Sequence, residues 1–253
     1  MTKIHLVSDL HLEFEKVLPT FPNDIDFLIL AGDLGKPFTD IYQKLIKLSS
    51  KSAKHVILIS GNHEYYSSNK DYNKINNKIQ ETADLYENVH FLNNKSIELF
   101  GFRIIGTTFW SHVPKQHHYK IASTMNDYNH IKIKDGNKIN PDKTRLRKIC
   151  IDQTQLWHNT AYNFLKTELE KQDQLPTIIA THHAPLLKYI QDPLDHAYYT
   201  DIGDLDLSST VLWAYGHTHT QEMKEIDVTL FWSNPRGYPK EKTGYEEMAT
   251  IEI

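Results

Sequence analysis

Five short segments constrain what this chain can fold into: Asp9-Leu10-His11, Gly32-Asp33, Gly61-Asn62-His63-Glu64, Thr181-His182-His183 and Gly216-His217-Thr218-His219. Each closes an apolar run that reads as a buried strand: Ile4 to Val7, Phe27 to Leu30, Val56 to Ile59, Ile178 to Ala180 and Val211 to Ala214. Short β-branched runs, with helical patterns between the early ones, predict an α/β layered fold. In open α/β sheets, sites form in the crevice beyond the carboxyl ends of the strands. All five segments stand at that end of their strand, so they are expected to converge on one site.

The residue types are those of metal ligands. Asp supplies charge, Asn a neutral oxygen and His a neutral nitrogen. Residues at i and i+2 of an extended segment point the same way, so Asp9 and His11 are positioned to chelate one ion together. His217 and His219 have the same spacing, but a turn there would send them to two different ions. Gly32, Gly61 and Gly216 allow the sharp departures and close backbone approaches that a crowded ion pair needs. Two divalent cations a few ångströms apart are a common apparatus for hydrolysing phosphate esters.

The order D-x-H, GD, GNHE, an apolar strand ending in His, then GHTH resembles the signature of calcineurin-like metallophosphoesterases. All five blocks are intact and in order, across roughly residues 1 to 238. A lone D-x-H or G-H-x-H would be a weak signal; five blocks in sequence are a strong one. The resemblance implies two mixed β-sheets packed face to face as a sandwich, flanked by helices. It implies that Asp9, His11 and His219 bind a first metal, that Asp33 bridges both, and that Asn62, His182 and His217 complete the second. Of the adjacent histidines it takes His182 as ligand, with His183 supporting it. His63 would face the phosphate, as the catalytic residue that stabilises the transition state or protonates the leaving oxygen. General acid catalysis of this kind contributes about 100- to 10,000-fold. Glu64 is expected to hold its neighbours by hydrogen bonds.

Charge then explains why phosphate would bind. Asp9 and Asp33 bring two negative charges, and the Asn and His ligands bring none. Two divalent cations sharing a hydroxide leave an excess of about one positive charge. Mixed nitrogen and oxygen ligation suits Mn, Fe or Zn better than Ca or Mg. Taken singly, an Asp after a strand is more often a turn or helix-capping residue. Seven ligand-type residues at family positions disfavour that reading for the set. His5, His55 and His90 lie within or beside strand patterns and carry no such argument. A non-catalytic scaffold on the same fold is the rival class, disfavoured because no motif position is lost.

The chain has 253 residues, enough for one sizeable core, and is expected to form a single domain. Apolar content of 40% and charged content of 24% are those of a globular protein. A net charge of −4 offers no whole-chain argument for nucleic acid or membrane partners. A nuclease is accordingly the less favoured alternative, and the expected partner is a small phosphorylated substrate. Cys150 is the only cysteine, so no disulfide forms within the chain, which fits a reducing cytoplasm. No signal peptide is expected, because a strand pattern begins almost at once. A general protein phosphatase is disfavoured: that branch has GD-x-x-D-R-G where this chain reads Gly32-Asp33-Leu34-Gly35-Lys36-Pro37.

Helices are expected around Ile41 to Leu48, capped by Thr39 or Asp40, and around Tyr72 to Tyr86. Strands are expected at Val89 to Leu92, Ile97 to Leu99 and Arg103 to Thr107, with a tight turn at Gly101-Phe102. Pro141 is taken to begin a long helix with Leu146, Ile149, Leu156, Trp157, Ala161 and Leu165 on one face. Final strands are expected at Val228 to Trp232 and Ala249 to Ile253. Residues 112–150 hold nine Lys or Arg against three Asp, a local balance of +6, so the remainder carries −10. A turn is expected at Asp135-Gly136-Asn137. One reading makes 112–140 a partial cap that steers anionic substrates through residues such as Lys115 and Lys120. The other makes 143–148 a solvated basic helix face. Arg236, in Asn234-Pro235-Arg236-Gly237-Tyr238, either reaches a phosphate or pins its loop through backbone carbonyls.

Overall fold

The computed structural model describes residues 1–135, 145–171, 175–185 and 190–253. The first third of the chain lays down β1 (Lys3–Val7), β2 (Ile25–Ala31), α1 (Asp40–Ser52), β3 (Ala53–Ile59), α2 (Tyr72–Ala83) and β4 (Val89–Phe91). β5 (Lys95–Leu99) and β6 (Phe102–Thr107) follow, then α3 (His118–Thr124), α4 (Asp127–His130), β7 (Lys132–Asp135) and β8 (Arg145–Lys148). α5 (Ile151–Leu169) leads into β9 (Thr177–Thr181), β10 (Ala184–Pro185) and β11 (Tyr199–Thr200). The chain ends with β12 (Thr210–Tyr215), β13 (Glu222–Ile226), β14 (Thr229–Ser233) and β15 (Thr250–Glu252).

Two large sheets result, ordered β15-β1-β2-β3-β4 and β13-β14-β12-β9-β6-β5. β1 to β4 run parallel, with β15 antiparallel at the edge. β14, β12, β9 and β6 run parallel in the second sheet, with β13 and β5 antiparallel on its edges. Strand alternation explains the layering. In β2, Phe27, Ile29 and Ala31 face the other sheet and meet Ile104, Ile178, Ala180, Leu212 and Trp232. Leu28 and Leu30 point the opposite way, onto Tyr42, Leu45 and Ile46 of α1 and Ile75 and Ile79 of α2. The outer face of the second sheet, Ile105, Ile179, Trp213 and Phe231, packs on Ala161, Leu165 and Leu169 of α5. The fold is thus two mixed sheets face to face, flanked by helices. Strands buried on both faces must be apolar throughout, which is why those runs are unbroken in the sequence.

Three details differ from expectation. The last helix starts at Ile151, and Arg145–Lys148 form a strand paired antiparallel with Lys132–Asp135. Leu146 and Ile149 therefore belong to no helical face, and Leu156 is 59% exposed. The buried stripe of α5 is Thr154, His158, Ala161 and Leu165, spaced by three or four residues. The basic run at Arg145, Arg147 and Lys148 is solvated as one reading had it, but on a strand. The β5–β6 turn is Phe100-Gly101, one residue earlier than expected, with φ of 53° and 78°. Two successive left-handed residues match the right-handed twist of the strands they join. Pro141 and the turn residues Gly136 and Asn137 lie outside the described residues.

Candidate metal centre

The five blocks meet where the parallel strands of both sheets end. Asp9 N donates to Gly32 O (2.9 Å), His11 N to Asp33 O (2.9 Å) and Gly216 N to His182 O (3.0 Å). His217 N donates to both carboxylate oxygens of Asp9, each at 3.1 Å. Backbone amides thus lace the blocks together before any ion is considered. Two glycines are dictated by crowding: a Cβ on Gly32, at φ 85°, would sit 2.5 Å from His182 Nδ1, and one on Gly61 would collide with Asp33 Oδ1.

The backbone is more strained than strand periodicity predicts. Asp9 (φ 52°), His11 (44°), Asp33 (54°), His217 (69°) and His219 (50°) are all left-handed. Such conformations cost on the order of 1–3 kcal/mol each in non-glycine residues and concentrate at functional sites. Asp9 and His11 converge because the chain turns at each of them, not because an extended segment alternates. The turn also decides the alternative left open for His217 and His219, which part company.

Among the described residues three groups of donors lie close enough to share an ion; one is His11, Glu13 and His63, and the other two hold the expected ligands. Asp9, His11 and His219 bring one ligand atom each within 4.8 Å of one another, and so do Asp33, His182 and His217. His219 Nε2 lies 3.4 Å from Asp9 Oδ1, and 3.1 Å from His11 Nε2. Asp33 Oδ2 lies 3.5 Å from His182 Nε2 and 3.9 Å from His11 Nε2, so this single oxygen faces both clusters. Asn62 Oδ1 lies 3.1 Å from His182 Nε2. Imidazole nitrogens and carboxylate oxygens aimed at common points, nearly all buried, make a donor set that fits two divalent ions of the N/O-ligated kind.

His183 is turned elsewhere. Its Nδ1 donates to Thr108 O at 3.2 Å and its ring packs on Trp110 and His217. The two neighbours titrate in opposite directions. Burial opposes the charged form of His182, but Asp33 outweighs it and lifts the ring to about 10. Burial and then the adjacent His182 push His183 down to about 3. For Asp33, burial opposes ionisation and is outweighed by His182 and His63, which hold it well below the usual carboxylate range.

Glu64 gathers the loops. Its carboxylate accepts from Leu34 N and Gly61 N at 2.7 Å and from Asp33 N at 3.0 Å. Burial, reinforced by Asp33, raises its pKa to about 7. His63 is held at several points. Its N–H donates to Asp33 Oδ1 (2.7 Å), its Nδ1 meets Glu13 Oε1 (2.9 Å), and Tyr66 packs on its ring at 4.3 Å. Tyr238 OH lies 3.2 Å from Nε2.

Several of these partners escape a reading of the sequence. Glu13 also touches His11 Nδ1 at 3.3 Å; burial disfavours its charge, but bonds to both histidines hold it down at about 2. Its position two residues beyond His11 is the available signal. Asp127, Tyr66, Tyr238 and Glu241, which accepts from His219 Nδ1 at 2.7 Å, have none. Arg236 takes the second of its two expected roles: Nη1 donates to Val17 O at 2.7 Å and Nη2 to Leu10 O.

A cavity of about 370 Å³ opens over the site, lined by Asp33, Asn62, His63, His217 and His219 together with Tyr66, Tyr198 and Tyr238. From residues 112–135 its wall takes Thr124, Met125 and Asn126. Lys115 and Lys120 are not among the described residues of that wall, and Lys120 Nζ pairs with Asp192 at 3.1 Å.

The model of the calcineurin-like phosphoesterase family matches residues 2–221, and the chain belongs to that family of metal-dependent hydrolases. An uncharacterized protein of Acanthamoeba polyphaga mimivirus is 31% identical over 280 aligned residues, spanning 100% of this chain and 97% of its own. Among solved structures, the phosphopantetheinyl hydrolase of Mycobacterium tuberculosis shares the fold with a TM-score of 0.66 at 20% identity, covering 94% of this chain and 90% of that one. A Thermus thermophilus protein does so with a TM-score of 0.51 at 12% identity, over 94% and 89%.

Proposed function

We propose that the protein is a dinuclear metal-dependent hydrolase of small phosphate esters. Asp9, His11 and His219 would hold one ion, Asn62, His182 and His217 the other, and Asp33 would serve both. The observation that carries this reading is the single oxygen Asp33 Oδ2, set 3.9 Å from His11 Nε2 and 3.5 Å from His182 Nε2. When bound, two such ions supply a hydroxide nucleophile near neutral pH and draw charge from the phosphoryl oxygens. His63 lines the cavity, and in this reading its Nε2 gives a proton to the leaving oxygen. Glu13, on Nδ1, stabilises the charged ring that carries this proton. Tyr66 and Tyr238 flank the His63 ring, with centroids at 4.3 and 5.9 Å.

Phosphomonoesters and phosphodiesters both fit the donor set. Residues 112–135 form a partial cap through Thr124, Met125 and Asn126, which contribute neutral groups to the wall. Mn, Fe or Zn is the metal choice that mixed nitrogen and oxygen donors favour. No motif position is lost, which argues against a binding scaffold without activity. No described helix is long and apolar enough to cross a membrane. A cytoplasmic setting remains our reading from the single cysteine.

The test is turnover of p-nitrophenyl phosphate and bis(p-nitrophenyl) phosphate with added manganese, with bound metal counted in the same samples. A phosphopantetheinyl ester belongs in the panel beside them. Asp33→Asn should lower metal retention and abolish turnover together. Retention of two ions and full activity in that variant would discard the reading.

A further inference from the structure

The amide of Asn62 presents a choice that the two donor clusters do not settle by themselves. Its oxygen and its NH₂ group have nearly the same shape, and only the oxygen can ligate a cation. The surroundings make the choice. Asn62 Nδ2 donates to Asp127 Oδ1 at 2.8 Å and to Tyr66 OH at 3.1 Å, which uses both of its hydrogens. Tyr66 OH in turn donates to the same Asp127 oxygen at 2.8 Å. The opposite face of the amide, Oδ1, lies 3.1 Å from His182 Nε2. Asn62 and Asp127 are 2% and 5% exposed, so water cannot replace either partner cheaply.

A carboxylate only accepts hydrogen bonds. Turning the Asn62 amide over would set its oxygen against the Asp127 carboxylate and aim two N–H donors at the metal position. Two buried acceptors facing each other lose the bond between them and repel. We infer that Asp127 is a positioning residue for the metal centre: it fixes the Asn62 amide with its oxygen toward the second ion. This rests on the two-ion reading above. It also gives residues 118–130 a role beyond shaping the cavity, because Asp127 opens α4 in that segment, 65 positions from Asn62. A bond between a ligand and this segment makes its docking and second-ion affinity mutually dependent.

The experiment is calorimetric titration of the metal-free full chain with Mn²⁺ or Co²⁺, comparing wild type with Asp127→Ala. Loss of a partner that orients a ligand weakens metal binding about 10- to 100-fold. That loss is expected for one ion only, because Asp9, His11 and His219 do not touch Asp127. A general loosening would weaken both, so the selectivity separates positioning from damage. Asp127→Asn keeps the volume, but its side chain donates as readily as it accepts, and a loss of at least about threefold is expected. This variant decides the matter if the alanine chain fails to fold. Wild-type affinity for both ions in the folded variants overturns the role of Asp127. A wild-type chain that takes up fewer than two ions overturns the two-ion reading instead.

Discussion

His63 is held by two carboxylates from different loops, Asp33 on its backbone and Glu13 on its ring. Burial alone would lower its pKa, yet Asp33 and Glu13 outweigh burial and raise it. A general acid works only while protonated, so activity should fall as pH rises through that elevated value. Glu13→Gln removes one of the raising charges and should move the alkaline limb of the kcat profile to lower pH. The bound metal count should stay at two per chain. An unshifted limb would mean that Glu13 merely packs against His63. His63→Ala should lower kcat about 100- to 10,000-fold at the pH optimum. The sequence leads to His63 through its block, but not to Glu13, because a Glu in a turn has many ordinary uses. Asp127 is beyond reach for another reason: its partner is 65 positions away, and no local pattern records a bond of that length.

At the level of elements, strands are far more legible than helix starts. β2, β3, β9 and β12 are buried on both faces, so apolar runs had to mark them. The start of α5 is misjudged from sequence because Leu146 and Ile149 mimic a helical spacing, while β7–β8 pairing claims that stretch. The inner stripe of α5 includes His158, whose Nδ1 donates to Trp110 O at 2.8 Å. Burial depresses this ring to about 4, against the raising effect of that bond. Folding therefore favours the neutral ring. Its contribution to stability is complete above the ordinary value near 6.5 and drains as pH falls toward 4. A tenfold change in proton affinity corresponds to about 1.4 kcal/mol, so the window is worth about 3 kcal/mol. Urea unfolding at pH 7 and pH 4 should show His158→Gln losing less stability than wild type by about that amount. Parallel curves for the two proteins would remove His158 from the acid response.

For the molecule as a whole, stability should follow metal. Asp9 and Asp33 are buried, neighbouring histidines already outweigh that burial, and divalent ions would add to their stabilisation. An ion at 100 times its dissociation constant adds about 2.7 kcal/mol. For a chain of this size that raises Tm by roughly 5–10 °C per ion, so a chelator should lower the melting point and Mn²⁺ should restore it. Unchanged melting after complete metal removal would show that the donor clusters are already satisfied by one another. The face-to-face sandwich itself is legible through the family resemblance and the strand runs. The left-handed turns at the ligands are not, since Asp and His tolerate that conformation without advertising it.

The centre draws on segments far apart in the sequence. β1 lies between β2 and β15, Asn234 Nδ2 donates to Leu6 O, and Gly237 N to Asp9 O. Contacts that join such distant positions form late, after most loop-closure entropy has been met. A chain still emerging from the ribosome therefore holds Asp9, His11, Asp33 and Asn62 without His217 and His219. Ion uptake is expected to wait until residue 219 has been made, and cleavage near residue 215 should weaken retention of the ions.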